Sequence, residues 1–187
     1  MRRRLFLTGP MGCGKSTAIA QALGSRSHLG GGFFTRRRVG PYGHAQSFYL
    51  ESSDGTESAV FLDVSQGKPV VHAEVFSLLG ARLLRETTAR FVILDEIGGI
   101  EVLCPAFMEA LDQLWQRNIP CIGVIKGQAP AAALIRTLGL PEEYAKAAGN
   151  LRDFLEDDPD TLVYSCSQFD ETARNLAVQW CREYVYE

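Results

Sequence analysis

Residues Gly9-Pro10-Met11-Gly12-Cys13-Gly14-Lys15-Ser16 spell G-x-x-x-x-G-K-[ST], and this pattern dictates a strand, a tight loop and a helix in that order. Glycines let the backbone bend until several N–H groups converge on one anion. The following helix presents its positive end to the same anion. The flanks agree: Leu5 to Thr8 reads as a strand and Lys15 to Leu23 as a helix. The expected ligand is a nucleoside triphosphate with Mg²⁺, held by the loop from Gly9 through Ser16 and Thr17. Lys15 would meet the β- and γ-phosphates and Ser16 would offer its hydroxyl to the metal. Cys13 reads as a small spacer, with a nucleophilic role as the alternative.

The rest of the chain alternates apolar runs with helical stretches, as expected of an α/β protein with a mostly parallel sheet covered by helices. Strands are expected at Phe33 to Val39, Gln46 to Glu51, Ala59 to Leu62, Phe91 to Leu94, Cys121 to Ile125 and Leu162 to Cys166. The first three, with a turn around Gly40, Pro41 and Gly43, form a small antiparallel insertion. Gly30, Gly31 and Gly32 read as a break. Helices are expected at Ala73 to Glu86, with Val75, Leu78, Leu79 and Leu83 on one face, and at Phe107 to Trp115, Ala131 to Leu138, Glu142 to Phe154 and Glu171 to Tyr184. The acids Asp153, Glu156, Asp157, Asp158 and Asp160 read as a solvated cluster. Residues 1–187 are expected to form a single domain.

Composition narrows the partners. The net charge of -3 argues against a general nucleic-acid binder, which needs a basic surface. The apolar run after the first arginines stops at Thr8, too short for a signal peptide or a membrane span, so the expected location is the cytoplasm. The five cysteines show no C-x-x-C spacing and read as reduced and buried.

A second acidic segment complements the loop. Phe91-Val92-Ile93-Leu94 is a buried strand that ends on Asp95 and Glu96, where open α/β sheets bind ligands. Asp95 is expected to orient magnesium, and Glu96 to position and polarise an attacking water. Glu101 either faces the site or is exposed to solvent. Asp95 to Gly98 satisfies D-x-x-G, but Ile125-Lys126-Gly127-Gln128 lacks the Asp of a guanine-reading N-K-x-D.

Three segments together, GPMGCGKST, GGFFTRRR and VILDEIGGIEVLCPAF, resemble the small nucleoside triphosphatases of the THEP type. The resemblance spans about the first two-thirds of the chain. It implies a three-layer, RecA-like P-loop core and hydrolysis of ATP, GTP and other triphosphates with broad base tolerance. It also supports Lys15 and Ser16 at phosphate and magnesium, and Asp95 and Glu96 at magnesium and water. The chain departs from the family pattern at Gly99, where a basic residue is usual, and at Ala45, where the Gly43 to Phe48 segment lacks its arginine. Of Arg36, Arg37 and Arg38, alternation sends the first and third to one face. They either contact phosphate or simply guard a solvated edge strand.

The expected activity is therefore Mg²⁺-dependent hydrolysis of a nucleoside triphosphate to diphosphate and phosphate, with Lys15 and Glu96 as catalytic residues. A small-molecule or nucleoside kinase is one alternative, although the segment after Ile125 carries no arginine cluster. A nucleotide-gated binding module is the other, with Trp180 and Tyr184 on an exposed C-terminal helix surface, against the more ordinary reading that this helix packs on the sheet. No protein partner is legible.

Overall fold

The computed structural model of the chain describes residues 1–168 and 170–186. Eight strands form one sheet: β1 (Arg4–Thr8), β2 (Gly31–Val39), β3 (Ala45–Ser52), β4 (Ser58–Asp63), β5 (Val70–Val71), β6 (Val92–Ile97), β7 (Cys121–Ile125) and β8 (Thr161–Ser165). Their order is β5-β4-β3-β2-β6-β7-β1-β8. The strands from β2 through β8 in that order run parallel, while β3, β4 and β5 add an antiparallel extension at the β2 edge.

Helices cover both faces of the parallel part. Helices α1 (Lys15–Leu23) and α6 (Glu171–Tyr184) pack on one side, with Ile19, Leu23, Ala177 and Trp180 buried against Leu5, Leu7, Ile93 and Ile122. On the other side lie α2 (Ala81–Arg85), α3 (Pro105–Gln116), α4 (Gln128–Leu138) and α5 (Glu142–Asp157). A parallel strand buried on both faces must be apolar throughout, which is why β1, β6 and β7 read as unbroken apolar runs. Burying each large side chain contributes about 2 kcal/mol or more. The second core reaches under the extension through successive ring contacts, Phe107 to Phe76 to Phe61 to Phe48. That row of rings fastens the antiparallel strands to the body on one face.

Several expectations change. Gly30 to Gly32 are not merely a break: Gly31 and Gly32 open β2 and pair with β6. A Cβ on Gly32 would stand 2.1 Å from the carbonyl oxygen of Ile93, so only glycine permits this approach. The helix expected over Ala73 to Glu86 is interrupted by a wide π-helical turn at Phe76–Gly80 before α2 begins. The extra residue per turn rotates the face: Phe76 goes inside and Leu78 is 70% exposed. Asp158 is not part of a solvated cluster, because it pairs with the buried Arg4 guanidinium at 2.8 Å. The C-terminal helix, by contrast, packs on the sheet as its ordinary reading expects: Trp180 is fully buried and donates to the Arg3 carbonyl at 3.1 Å, which leaves its ring no part in an exposed surface. Among the described residues, no helix is long and apolar enough to cross a membrane.

Candidate active site

The carboxyl ends of β1, β6 and β7 meet at one edge of the sheet. The loop from Gly9 to Gly14 leaves β1 there, with Gly9, Gly12 and Gly14 all at positive φ. These torsions are costly for other residues and curl the backbone so that its amides face inward. A Cβ on Gly9 would also stand 2.5 Å from the Cys166 carbonyl oxygen. Lys15, the first residue of α1, reaches back across the loop and donates to the carbonyls of Gly9 (3.0 Å) and Pro10 (2.7 Å). Its ammonium also lies 3.7 Å from the Cys13 sulfur. Cys13 is buried, Thr17 faces solvent and Met11 is 85% exposed beside Pro10 at the rim of the loop.

Register brings the acidic strand to the same place. Asp95 pairs with Phe34 of β2 and Val124 of β7, and its side chain projects toward α1. The Ser16 hydroxyl donates to Asp95 Oδ1 at 2.7 Å. Asp95 is 1% exposed, and its Oδ2 has no hydrogen-bond partner among the described residues. Burial pushes this carboxyl up to about 6, against the Ser16 hydrogen bond; Glu96 adds to the rise, and the Arg36 and Lys15 charges oppose it. A buried, unpartnered carboxylate oxygen beside a serine hydroxyl is an all-oxygen donor set that suits a hard divalent cation such as Mg²⁺.

Glu96 turns to the cleft, where its Oε1 receives the Lys126 ammonium at 2.7 Å. Lys126 comes from the residue just after β7, and its side chain is only 14% exposed. The cleft between the glycine loop and the end of β6 has a volume of about 280 Å³ and is lined by Gly12, Lys15, Ser16, Glu96, Lys126 and Pro130, among others.

Glu101 is neither in the cleft nor exposed. It is 1% exposed, and its Oε1 accepts from the amides of Gly98 (2.5 Å) and Gly99 (2.8 Å), closing the turn that follows β6. Burial raises this carboxyl to about 7, against the two amides and the Lys126 charge. The Tyr144 hydroxyl of α5 donates to the Gly98 carbonyl at 3.0 Å, bracing the same turn, and burial raises this phenol as well.

Exposure divides the three arginines by their position along β2 and not by the alternating faces. Arg37 and Arg38 are exposed. Arg36 lies over the Phe34 ring at 4.3 Å with its Nε 3.1 Å from Glu51, on the Asp95 face of the sheet. Glu101, Tyr144 and Lys126 are the residues that sequence patterns alone underrate. Lys126 left one trace: a lone cation at the end of an apolar strand, level with the acidic pair.

On the opposite side of the loop, Cys13, Thr17, Ala18, Cys166, Gln168 and Arg174 line a second hollow of about 220 Å³.

A phosphate-cradling loop joined through Ser16 to a buried aspartate on a parallel strand defines a P-loop nucleotide-binding protein. Comparison with known proteins narrows the class. The model of the NTPase family matches residues 4–145, so the chain belongs to that family and is a hydrolase of the nucleoside-triphosphatase class. It is 32% identical over 132 residues to a mouse cancer-related nucleoside-triphosphatase homolog, covering 61% of this chain and 70% of that protein. It is 27% identical over 139 residues to the nucleoside-triphosphatase THEP1 of Thermococcus kodakarensis, covering 67% of this chain and 77% of the relative. Two solved structures share the fold. A human cancer-related nucleoside triphosphatase superposes with a TM-score of 0.63 at 20% identity, covering 99% of this chain and 98% of the other. THEP1 from Aquifex aeolicus gives a TM-score of 0.63 at 17% identity, covering 92% and 96%.

Proposed function

We propose that the protein is a cytoplasmic, Mg²⁺-dependent enzyme that hydrolyses ATP, GTP and other nucleoside triphosphates to the diphosphate and phosphate. The observation that carries this reading is the contact between Ser16 and Asp95, which leaves one buried carboxylate oxygen for a cation at the mouth of the P-loop. The mouse and archaeal relatives named as nucleoside triphosphatases support the same activity. Five buried free thiols fit a reducing compartment.

In this reading the β- and γ-phosphates lie on the amides of Gly9 to Ser16. Lys15 releases the carbonyls of Gly9 and Pro10 and turns its ammonium to the phosphates. Ser16 and Asp95 would hold the magnesium, which would supply neutralisation of charge on the phosphate oxygens. Glu96 accepts a hydrogen bond from a water and aligns it with the γ-phosphorus; attack on phosphorus breaks the bond to the bridging oxygen and releases the diphosphate. The nucleoside reaches toward the hollow at Cys166, Gln168 and Arg174. The Gln168 amide presents a donor at one rotation and an acceptor at the other, which suits more than one base.

Phosphate release from ATP, GTP, CTP and UTP, with and without Mg²⁺ and with no acceptor added, tests the proposal. Steady Mg²⁺-dependent release from all four is expected. Strict dependence on an added phosphate acceptor would make the protein a kinase and overturn the reading.

A further inference from the structure

We propose that Lys126 is a second catalytic lysine, whose ammonium bridges the Glu96 carboxylate and the γ-phosphate of the bound triphosphate. This rests on the hydrolase reading above and assigns that reaction a residue outside the loop and the acidic pair. The strand order supplies the first argument. β7 lies between β1, which leads into the loop with Lys15, and β6, which ends on Asp95 and Glu96. A side chain leaving the end of β7 therefore rises between the two walls of the cleft, and Lys126 lines that cleft together with Lys15 and Glu96.

The second argument is the way Lys126 is held. Its backbone N–H donates to the Ile97 carbonyl at 2.8 Å, and its own carbonyl accepts from Arg152 at 3.4 Å. Its side chain passes the Gly98–Gly99 turn. A Cβ on Gly99 would sit 3.5 Å from Lys126 Cε and 2.9 Å from Glu101 Oε2. The bare backbone at Gly99 thus leaves room for the buried Glu101 carboxyl, and the Lys126 stem runs alongside the same corner at ordinary contact distance. The anchored stem delivers the ammonium to Glu96 at 2.7 Å.

The third argument is chemical. An ammonium carries three donors, and Glu96 Oε1 engages one of them. Among the described residues the other two donors have no partner, and Lys126 lines a cleft whose opposite wall is the phosphate cradle. A cation tied to Glu96 and to the γ-phosphate would fix the distance between the water-holding carboxylate and the phosphorus. It would also offset negative charge as the bridging bond breaks. Lys126 gains and loses no proton in this role.

The competing role is a static tether that merely neutralises Glu96, and the two predict opposite signs. For Lys126→Met, loss of a transition-state contact lowers kcat by about 100-fold. It also narrows the affinity advantage of triphosphate over diphosphate by about tenfold, with diphosphate affinity retained. Release of a tether would leave kcat unchanged or raise it. Lys126→Arg keeps a cation at the corner and is expected to recover at least about tenfold of the loss. Thermal unfolding and diphosphate binding confirm that each variant retains its fold and loop. Unchanged or raised kcat in Lys126→Met, or no recovery by Lys126→Arg, overturns the proposal. Glu96→Gln run alongside separates the two readings. If it still slows turnover, only the role of Lys126 fails; if it too leaves turnover unchanged, the hydrolase assignment of this acidic wall fails.

Discussion

The phosphate wall of the cleft is local in the chain, whereas the acidic wall is assembled from distant segments. Gly9 to Thr17 carry the first wall within one loop and one helical turn, and backbone amides supply most of its donors. The second wall draws Asp95 and Glu96 from β6, Lys126 from the end of β7 and Tyr144 from α5. Its groups are side chains, and each is held by another: Ser16 by Asp95, Glu96 by Lys126, the Gly98 turn by Glu101 and Tyr144. A wall of amides is rigid once the glycines are in place. A wall of paired side chains keeps partners that a substrate can replace. Substitutions in the first wall should therefore abolish binding, while substitutions in the second should separate binding from turnover.

The largest effect is expected in the first wall. Lys15→Ala should weaken triphosphate binding by more than about 100-fold, because a charge contact to phosphate is worth roughly 3 kcal/mol or more in a desolvated site. Titration calorimetry with a triphosphate reads this directly, and unchanged affinity would remove Lys15 from the phosphates.

Glu101 tests the second wall through stability. Burial raises its folded-state value from 4.5 to about 7, so the folded protein holds this proton to higher pH than the unfolded chain does. The stabilisation is fully present below about 4.5 and is lost as pH rises through about 7. Glu101→Gln keeps an amide oxygen for Gly98 and Gly99 but cannot ionise. Denaturant unfolding at pH 5 and pH 8 should show this fall shrinking by roughly 2 kcal/mol in the variant. An equal fall in both proteins would mean that Glu101 is ionised throughout.

Asp95→Asn leaves a partner for Ser16 and removes the charge. The gain in triphosphate affinity on adding Mg²⁺ should drop by about tenfold. An undiminished gain would place the cation elsewhere. The smallest effect is expected at Tyr144→Phe, which loses one neutral hydrogen bond to Gly98 and should cost about 1 kcal/mol of stability. A change in diphosphate affinity in this variant would show that the two walls are less separate than the geometry indicates.

The same division governs what could be read from the chain alone. The loop, β1 and α1 were legible because their signals are consecutive: an apolar run, spaced glycines, Lys and Ser, then a helical stretch. The helix-covered parallel sheet followed from alternation, and the extension from its turn at Gly40 to Gly43. Asp95 and Glu96 were legible because they end an apolar strand. Lys126 was not, because its meeting with Glu96 depends on the strand order β6-β7-β1, which no local pattern encodes. Glu101 read as either a site residue or an exposed acid, and is neither, because its partners are backbone amides, which leave no mark in the residue pattern. The break at Phe76–Gly80 escaped for a related reason: helical spacing selected Leu78, while packing against Phe107 selected Phe76. The choice among Arg36, Arg37 and Arg38 needed the register that sets Phe34 beside Asp95.

If the acidic wall performs hydrolysis on a nucleotide held by the loop, Glu96 sets the rate of the chemical step. Single-turnover phosphate release from a triphosphate bound with Mg²⁺ reads this step, compared between the native protein and Glu96→Gln at saturating protein. Equal triphosphate affinity is expected, with release slowed by about 100-fold in Glu96→Gln. Equal rates of release in the two proteins would take Glu96 out of the reaction.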